Sequence, residues 1–425
     1  MLIGIALAAV AAVAVVVVAH FGSVDPSRPD VPVVLPRPAP VYPPVTGAVV
    51  RIAPDGTGRG DTSSWSDAAP INALPAILAA AAPGTQVWLR ADAGPYHLSQ
   101  SLQLHSGGAA GAPVVVRGVD AQGAPLPAEI IGDRAAPYDP NGARGDEVFR
   151  LLSGADHLVF QELAFRNVGN GAFRIGADIS DLTIRQITAT NVRRFIENTA
   201  SGAAATATIS GLTVSNVTVK GYSRSFARIR YDSHDIVFDG NSGDSEGQDH
   251  DPFSQGIQLN DTVHDVDIRN TSMTNSISTD RDYWNGDGFS AEEQTYDIRF
   301  TNTYAAGNTD GGYDIKSRSA TMIDVRAADN KRNFRFWGNI TVDGCTGTDP
   351  KQRGGTGTQA QVHATSAAVV TMTRCTFIDD DPRTIVFDVD GTARLTVTNS
   401  TVEHAGSLET VEPRAALQRD GVRVA

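Results

Sequence analysis

Three consecutive stretches, GDGFSAE (286–292), DGGYDIK (310–316) and RNFRFWG (332–338), decide how this chain is read. Each alternates apolar with polar residues, the period-two signature of a strand with one buried face. Aligned on Phe289, Tyr313 and Phe334, they recur after 24 and then 21 residues. Positions one and three after each aromatic share the opposite face. They hold Ser290 and Glu292, then Asp314 and Lys316, then Arg335 and Trp337. Strands stacked about 4.8 Å apart would gather these acids, bases and the indole on one surface. Such a convergence marks a candidate active site.

Working outward, a second pattern, apolar-x-apolar-x-polar, recurs at LVFQE (158–162), LTIRQ (182–186), LTVSN (212–216), IVFDG (236–240), VDIRN (266–270), IRFTN (298–302) and LTVTN (395–399). Polar turns rich in Gly, Asn and Asp separate the two series, and no helical periodicity intervenes between residues 145 and 405. Coils of 21–32 residues with Val/Ile strands and an asparagine at the corner indicate an all-β fold. The expected form is a single-stranded right-handed parallel β-helix of about ten coils. Asn216, Asn270, Asn302 and Asn399 fall at one place in their coils, where stacked amides would bond the corner backbone and each other. Cys345 and Cys375, 30 residues apart, are register equivalents, either a disulfide or stacked buried thiols. One interval is out of step. Ile323 to Ile340 is only 17 residues, so either that coil is tight or the register slips there. Residues 69–82 (APINALPAILAAAA) read as a helix before the strand TQVWLRA (85–91), a cap for the first coil.

The chain has 425 residues and a formal charge of −13, from 35 basic and 48 acidic side chains, with no basic run. That argues against a nucleic-acid partner. Two cysteines exclude a disulfide scaffold. Leu2–Ala19 is uncharged and almost wholly apolar, but it lacks a basic flank. It is either a cleaved signal peptide or a retained membrane anchor, and both export the chain to a periplasmic, extracellular or outward-facing anchored position. The expected organisation is therefore an export segment (1–22), a Pro-rich semi-rigid spacer (23–46), a capped β-helix (47–405) and a C-terminal tail or cap (406–425), in a monomer. Arg59-Gly60-Asp61 reads as a polar turn.

The outward set resembles that of secreted β-helix polysaccharide lyases of the pectate-lyase-like superfamily, in the motifs of lyase families 9 and 6. Family 9 carries a DGF strand, then a DDGWD-type strand whose acids bind calcium, then a GFK strand whose lysine is the base. Asp287 in DGF, Asp310 and Asp314 in DGGYD, and Arg335 in NFR match those places. Gly311 stands where the family has a second acid, and Arg335 replaces the lysine. Family 6 carries an SKS…NFR run with a lysine base and an arginine acid; Lys316-Ser317 and Asn333-Phe334-Arg335 are similar, without the calcium-binding glutamates before the lysine. The resemblance covers residues 250–345. It implies a lyase for an acidic, uronic-acid glycan, with Ca²⁺ held by Asp287, Asp310 and Asp314.

The chemistry suits those residue types. Removing the C5 proton of a uronate builds charge beside its carboxylate, so a cation or metal must neutralise that group and a base must reach the proton. Lys316 is the base if Arg335 depresses its pKa, whereas Asp314 pulls the other way. Arg335 would then stabilise the enolate or protonate the leaving oxygen, and it is the alternative base. Trp337 offers a face to a sugar ring, with Glu292 and His363 (in QVHAT, one coil on) beside the substrate. The plainer alternatives are a surface ion-pair network for Asp314, Lys316 and Arg335, and turn formation for Asp287 and Asp310. The acidic EGQDHDP loop (246–252) is irregular for a metal site and suits a groove wall. A hydrolase is the nearest rival. Asn308-Thr309-Asp310 resembles the NTD motif of family 28 polygalacturonases, but the DD, GHG and RIK motifs do not follow. A Glu292–Asp314 pair would also serve hydrolysis. A non-catalytic glycan-binding or envelope scaffold fits the anchor, the spacer and the negative charge.

Overall fold

The structure, a computed structural model, describes residues 35–42, 45 and 47–425. The segment expected to direct export (1–22) and most of the expected spacer lie outside those residues. From Val49 onward the strands stack in parallel, each bonded to the strands one coil before and after it. The result is a right-handed parallel β-helix, the hand that parallel crossovers take. Among the described residues no helix is long and apolar enough to cross a membrane.

The apolar-x-apolar-x-polar segments form one sheet in the predicted register: Leu158, Leu182, Leu212, Ile236, Val266 and Ile298 are successive ladder partners. The ladder continues through Ala320, Ile340, Val370, Leu395 and Leu417. Ile340 therefore pairs with Ala320 rather than Ile323, and the apparent 17-residue coil is a register slip. With the strands from Val49–Ile52 to Ala416–Asp420 this sheet has fourteen members, more than the ten or so coils expected.

Four residues after each ladder position the backbone turns left-handed. The φ values are +54° at Asn216, +50° at Asn270, +51° at Asn302 and +48° at Asn399. Asparagine tolerates this conformation because its short amide bonds locally. Asn302 Nδ2 donates to Asn270 Oδ1 at 2.9 Å, as the stacked-amide expectation requires. Glu162, Gln186, Asp324 and Arg374 occupy the same corner at φ of +50°, +49°, +52° and +55°. The neighbours, not the residue type, impose the turn there.

Ile71–Ala73 and the helix Leu74–Ala80 bury Ile71, Leu74 and Leu78 against the first coil. The described end of the spacer lies back on the solenoid rather than standing off it: Pro38 O accepts from Asn216 Nδ2 at 2.8 Å, and Tyr42 OH donates to Glu162 Oε1 at 2.7 Å. Residues 406–425 are neither loose nor irregular; Ser407–Val411, Ala416–Asp420 and Arg423–Val424 add one more coil. Cys345 and Cys375 are ladder partners with Cα atoms 4.4 Å apart, and a disulfide joins them.

The sheet that matters for function contains Gly286–Ala291, Gly311–Ile315, Arg332–Phe336, Ala360–Ala364 and Ile385–Val389. Its inward aromatics stack coil upon coil, Phe289 on Tyr313 at 5.1 Å and Tyr313 on Phe334 at 5.5 Å between centroids. All three are buried. Each contributes about 1.5–3 kcal/mol of burial, enough to hold the register that sets the outer face.

Candidate active site

Outward from this sheet runs one column in strict register: Arg228, Gln258, Ser290, Asp314, Arg335, His363 and Asp388 follow one another coil by coil. The expected alignment of Ser290, Asp314 and Arg335 is thus present. His363 extends the same column, and Glu292, Lys316 and Trp337 lie two residues further along their coils.

Asp310 does not offer itself to a metal. It is 1% exposed, and its oxygens take Tyr283 OH at 2.7 Å, Arg332 Nη1 and Arg335 Nη1 at 3.1 Å each, and Lys331 Nζ at 3.2 Å. Three cations and a phenol already compensate it. Burial and the Asp310 charge raise the Tyr283 phenol well above its ordinary value, so its proton stays on the oxygen facing Asp310. Lys331 is fully buried, its ammonium 3.8 Å from the Tyr283 ring centroid. Burial outweighs Asp310 and lowers its pKa.

Asp287 is likewise sealed. Burial first, then the charges of Asp314 and Asp310, push its carboxyl up to about 8. Its oxygens accept from Gln255 Nε2 at 3.0 Å and from the Gly311 N–H at 2.8 Å. A Cβ at Gly311 would lie 3.0 Å from Asp287 Oδ1 and 3.2 Å from Asp314 Cβ. The glycine where lyases carry a second acid is therefore packed against, and Asp287, 1% exposed with both oxygens already bonded, does not present them to an ion. The expected set of Asp287, Asp310 and Asp314 does not fit the ion.

Asp314 remains at the groove, accepting from Trp337 Nε1 at 2.7 Å. Lys316 Nζ lies 3.0 Å from both Glu292 oxygens and 3.4 Å from Asp314 Oδ2. Burial disfavours the ammonium, but Asp314 and Glu292 outweigh it and hold the Lys316 pKa above its ordinary value. Lys316 is consequently a cation, not a base. The same geometry removes Glu292 and Asp314 as an acid–base pair, because one ammonium binds both. Burial also opposes the Arg335 charge, and Asp314 and Asp310 overcome it. That guanidinium is a fixed cation too, 4.5 Å from the Trp337 ring centroid. Trp337 is thus partly occupied by Arg335 rather than bare.

His363 differs in kind. Burial, then Arg332, lower its pKa below the usual histidine value, and the imidazole is neutral at pH 7. Its Nε2 lies 3.0 Å from Asp390 Oδ2, while Nδ1 is buried and has no partner. A carboxylate on one nitrogen fixes the tautomer and leaves the other nitrogen basic.

Further back, the column begins with Arg150, Arg174 and Glu197 before Arg228. Arg194 and Arg224 flank it, and burial lowers the pKa of Arg194 to about 9 against the pull of Glu197. Asp251, in the EGQDHDP loop, is taken by Arg193 at 2.9 Å and Ser223 at 2.8 Å, so that loop braces arginines. Sequence reading missed Tyr283, Lys331, Arg332 and Asp390. The KRNFR run (331–335) shows two of them, but they lie before the aromatic that set the alignment.

No family model matches the chain, and no curated protein matches it. Among solved structures, the catalytic domain of a GH87 alpha-1,3-glucanase in complex with nigerose superposes with a TM-score of 0.57 at 12% identity, over 91% of this chain and 70% of that one. The GH136 lacto-N-biosidase from Eubacterium ramulus gives 0.51 at 11% identity, over 89% and 68%. Pectate lyase Pel9A overlaps more loosely, at 0.45 and 13% identity, over 87% and 79%. The chain therefore shares its parallel β-helix fold with the first two of these proteins.

Proposed function

We propose that this protein cleaves an acidic, uronic-acid-containing glycan by β-elimination. The supporting observation is the pairing, on adjacent coils, of the fixed cation Arg335 with the neutral His363. Arg335 and Lys316 would bind the uronate carboxylate and neutralise the charge that builds there. His363 Nδ1, sealed from water in the free protein, would take the C5 proton once the groove opens to the substrate, with Asp390 stabilising the imidazolium. The C5 electrons pass into the carboxylate, then return to form the C4–C5 double bond as the C4 oxygen leaves, taking the imidazolium proton. The arginines along the column give a locally cationic path for a polyanion despite the chain's net charge of −13. The disulfide suits an exported protein.

A second reading rests on Asp287, a protonated carboxyl near the ionisable Asp314, the pattern of a hydrolase acid and its partner. Both Asp287 oxygens are already bonded, to Gln255 and to the Gly311 N–H, whereas His363 Nδ1 has no partner, which places this reading behind the first. Incubation with a panel of uronic-acid polysaccharides separates them. Ultraviolet absorbance from an unsaturated product, lost in Arg335→Ala, supports elimination. New reducing ends without absorbance would mean hydrolysis, and inertness by both measures would leave a glycan-binding scaffold.

A further inference from the structure

The strongest unassigned feature lies where two strands leave the groove-bordering coils. Asn339–Thr348 ends at Asp349, and its ladder partner Val369–Asp379 ends at Asp379 and Asp380; Thr348 pairs with Ile378, which brings the three acids together. One carboxylate oxygen from each lies within 4.8 Å of the others. Asp379 is 5% exposed, and its Oδ2, sealed from water, receives no hydrogen bond of acceptable geometry. Of the nearby cations, Arg353 is committed to Asp329 and Arg383 to Asp381, and the exposed Lys351 forms no ion pair with the three acids. Among the described residues, none of the three acids is in an ion pair.

Like charges this close repel, and a buried oxygen without a partner is costly. A hard cation would resolve both. We propose that Asp349, Asp379 and Asp380 bind a divalent cation, best matched by Ca²⁺. Calcium takes about 6–8 oxygen ligands in a flexible arrangement, so three carboxylates with water on the exposed Asp349 and Asp380 form an adequate shell. Magnesium demands a stricter octahedron. This assigns the cation to a place outside the groove, where Asp287 and Asp310 do not fit it.

The ion would tie the groove's wall. Asp349 opens the segment 349–359, whose Gly354 and Gly355 press on Trp284 so closely that added Cβ atoms would come within 2.4 and 2.9 Å of the indole. Thr356 O accepts from Lys331 Nζ at 3.3 Å, and Thr358 Oγ1 donates to Asp388 at 3.0 Å. Fixing Asp349 to the next coil would hold that wall over Tyr283 and Lys331.

The test is calorimetric titration of the full chain with CaCl₂, with thermal melts in Ca²⁺ and in EDTA. One site and a Ca²⁺-dependent rise in Tm are expected, with affinity at least tenfold weaker in the exposed-acid variant Asp349→Asn/Asp380→Asn and unchanged in Asp287→Asn. Absence of binding to the wild type, unchanged affinity in the double variant, or loss of binding in Asp287→Asn would each overturn the assignment.

Discussion

Asp287→Asn should stabilise this protein, and the gain should grow with pH. In the folded chain the Asp287 carboxyl is pushed from 3.8 up to about 8 by burial and by two neighbouring acids. A group whose folded pKa is raised favours folding only while it is protonated. Wild-type stability therefore falls as pH rises from 3.8 through about 8, because only the unfolded chain ionises freely. The full span corresponds to at most ~6 kcal/mol by linkage. Relaxation of the site would leave half of that ceiling, ~3 kcal/mol, given the effective dielectric of protein interiors. Asparagine keeps the shape and cannot ionise. Its Oδ1 can still accept the Gly311 N–H, and its Nδ2 can donate to Gln255 Oε1, which has no partner at present, once the Gln255 amide turns over. At ~2.1 cal/mol/K per residue over the β-helix, ~3 kcal/mol corresponds to a Tm difference of about 4 °C. Melts of both proteins at pH 5 and pH 9 measure it: a small difference at pH 5, the full one at pH 9. Parallel pH profiles, or a variant less stable at pH 9, would refute a neutral buried Asp287.

Other expectations follow from the same geometry. His363→Gln should lower kcat/KM by about 10²–10⁴ on whichever glycan is cleaved, the usual worth of a general base. The wild-type acid limb should lie below the ordinary histidine value of 6.5, since burial lowers this pKa, and an acid limb above it would count against His363 as base. Arg335→Lys should retain more activity than Arg335→Ala but raise KM, because an ammonium cannot bind Asp310 and a uronate in the same fork. Arg228→Gln, three coils from Asp314, should raise KM for long acidic chains and flatten its salt dependence while leaving short substrates unaffected. The Cys345→Ala/Cys375→Ala variant should lose about 3–4 kcal/mol from the closure of a 30-residue loop, measured by urea unfolding.

Much of the fold was legible because a solenoid repeats its instructions. The Leu158-to-Ile298 ladder and the Phe289, Tyr313 and Phe334 stack each follow from one period-two pattern read several times. Where the pattern thinned, at Ala320 and at the corner occupied by Arg374, the reading slipped, because a left-handed corner is set there by stacking on neighbours rather than by an asparagine. The column of Asp314, Arg335 and His363 was foreseen from register alone. Charge states were not. Lys316 stays a cation because Glu292 and Asp314 converge on its ammonium, and Asp310 is compensated by Tyr283, which arrives from a loop 27 residues upstream. Spacing along a strand carries no information about groups delivered from another coil's loop.

The bond between Cys345 and Cys375 joins the coil bearing Arg335 to the coil bearing His363. In a one-dimensional stack each coil leans only on its neighbours, so opening begins at a free end and advances coil by coil. Fraying that starts beyond Leu395 meets a covalent stop before it reaches the groove. The last coils can breathe without shearing the Arg335 and His363 rows past each other, and the spacing of guanidinium and imidazole is insulated from that end of the described chain.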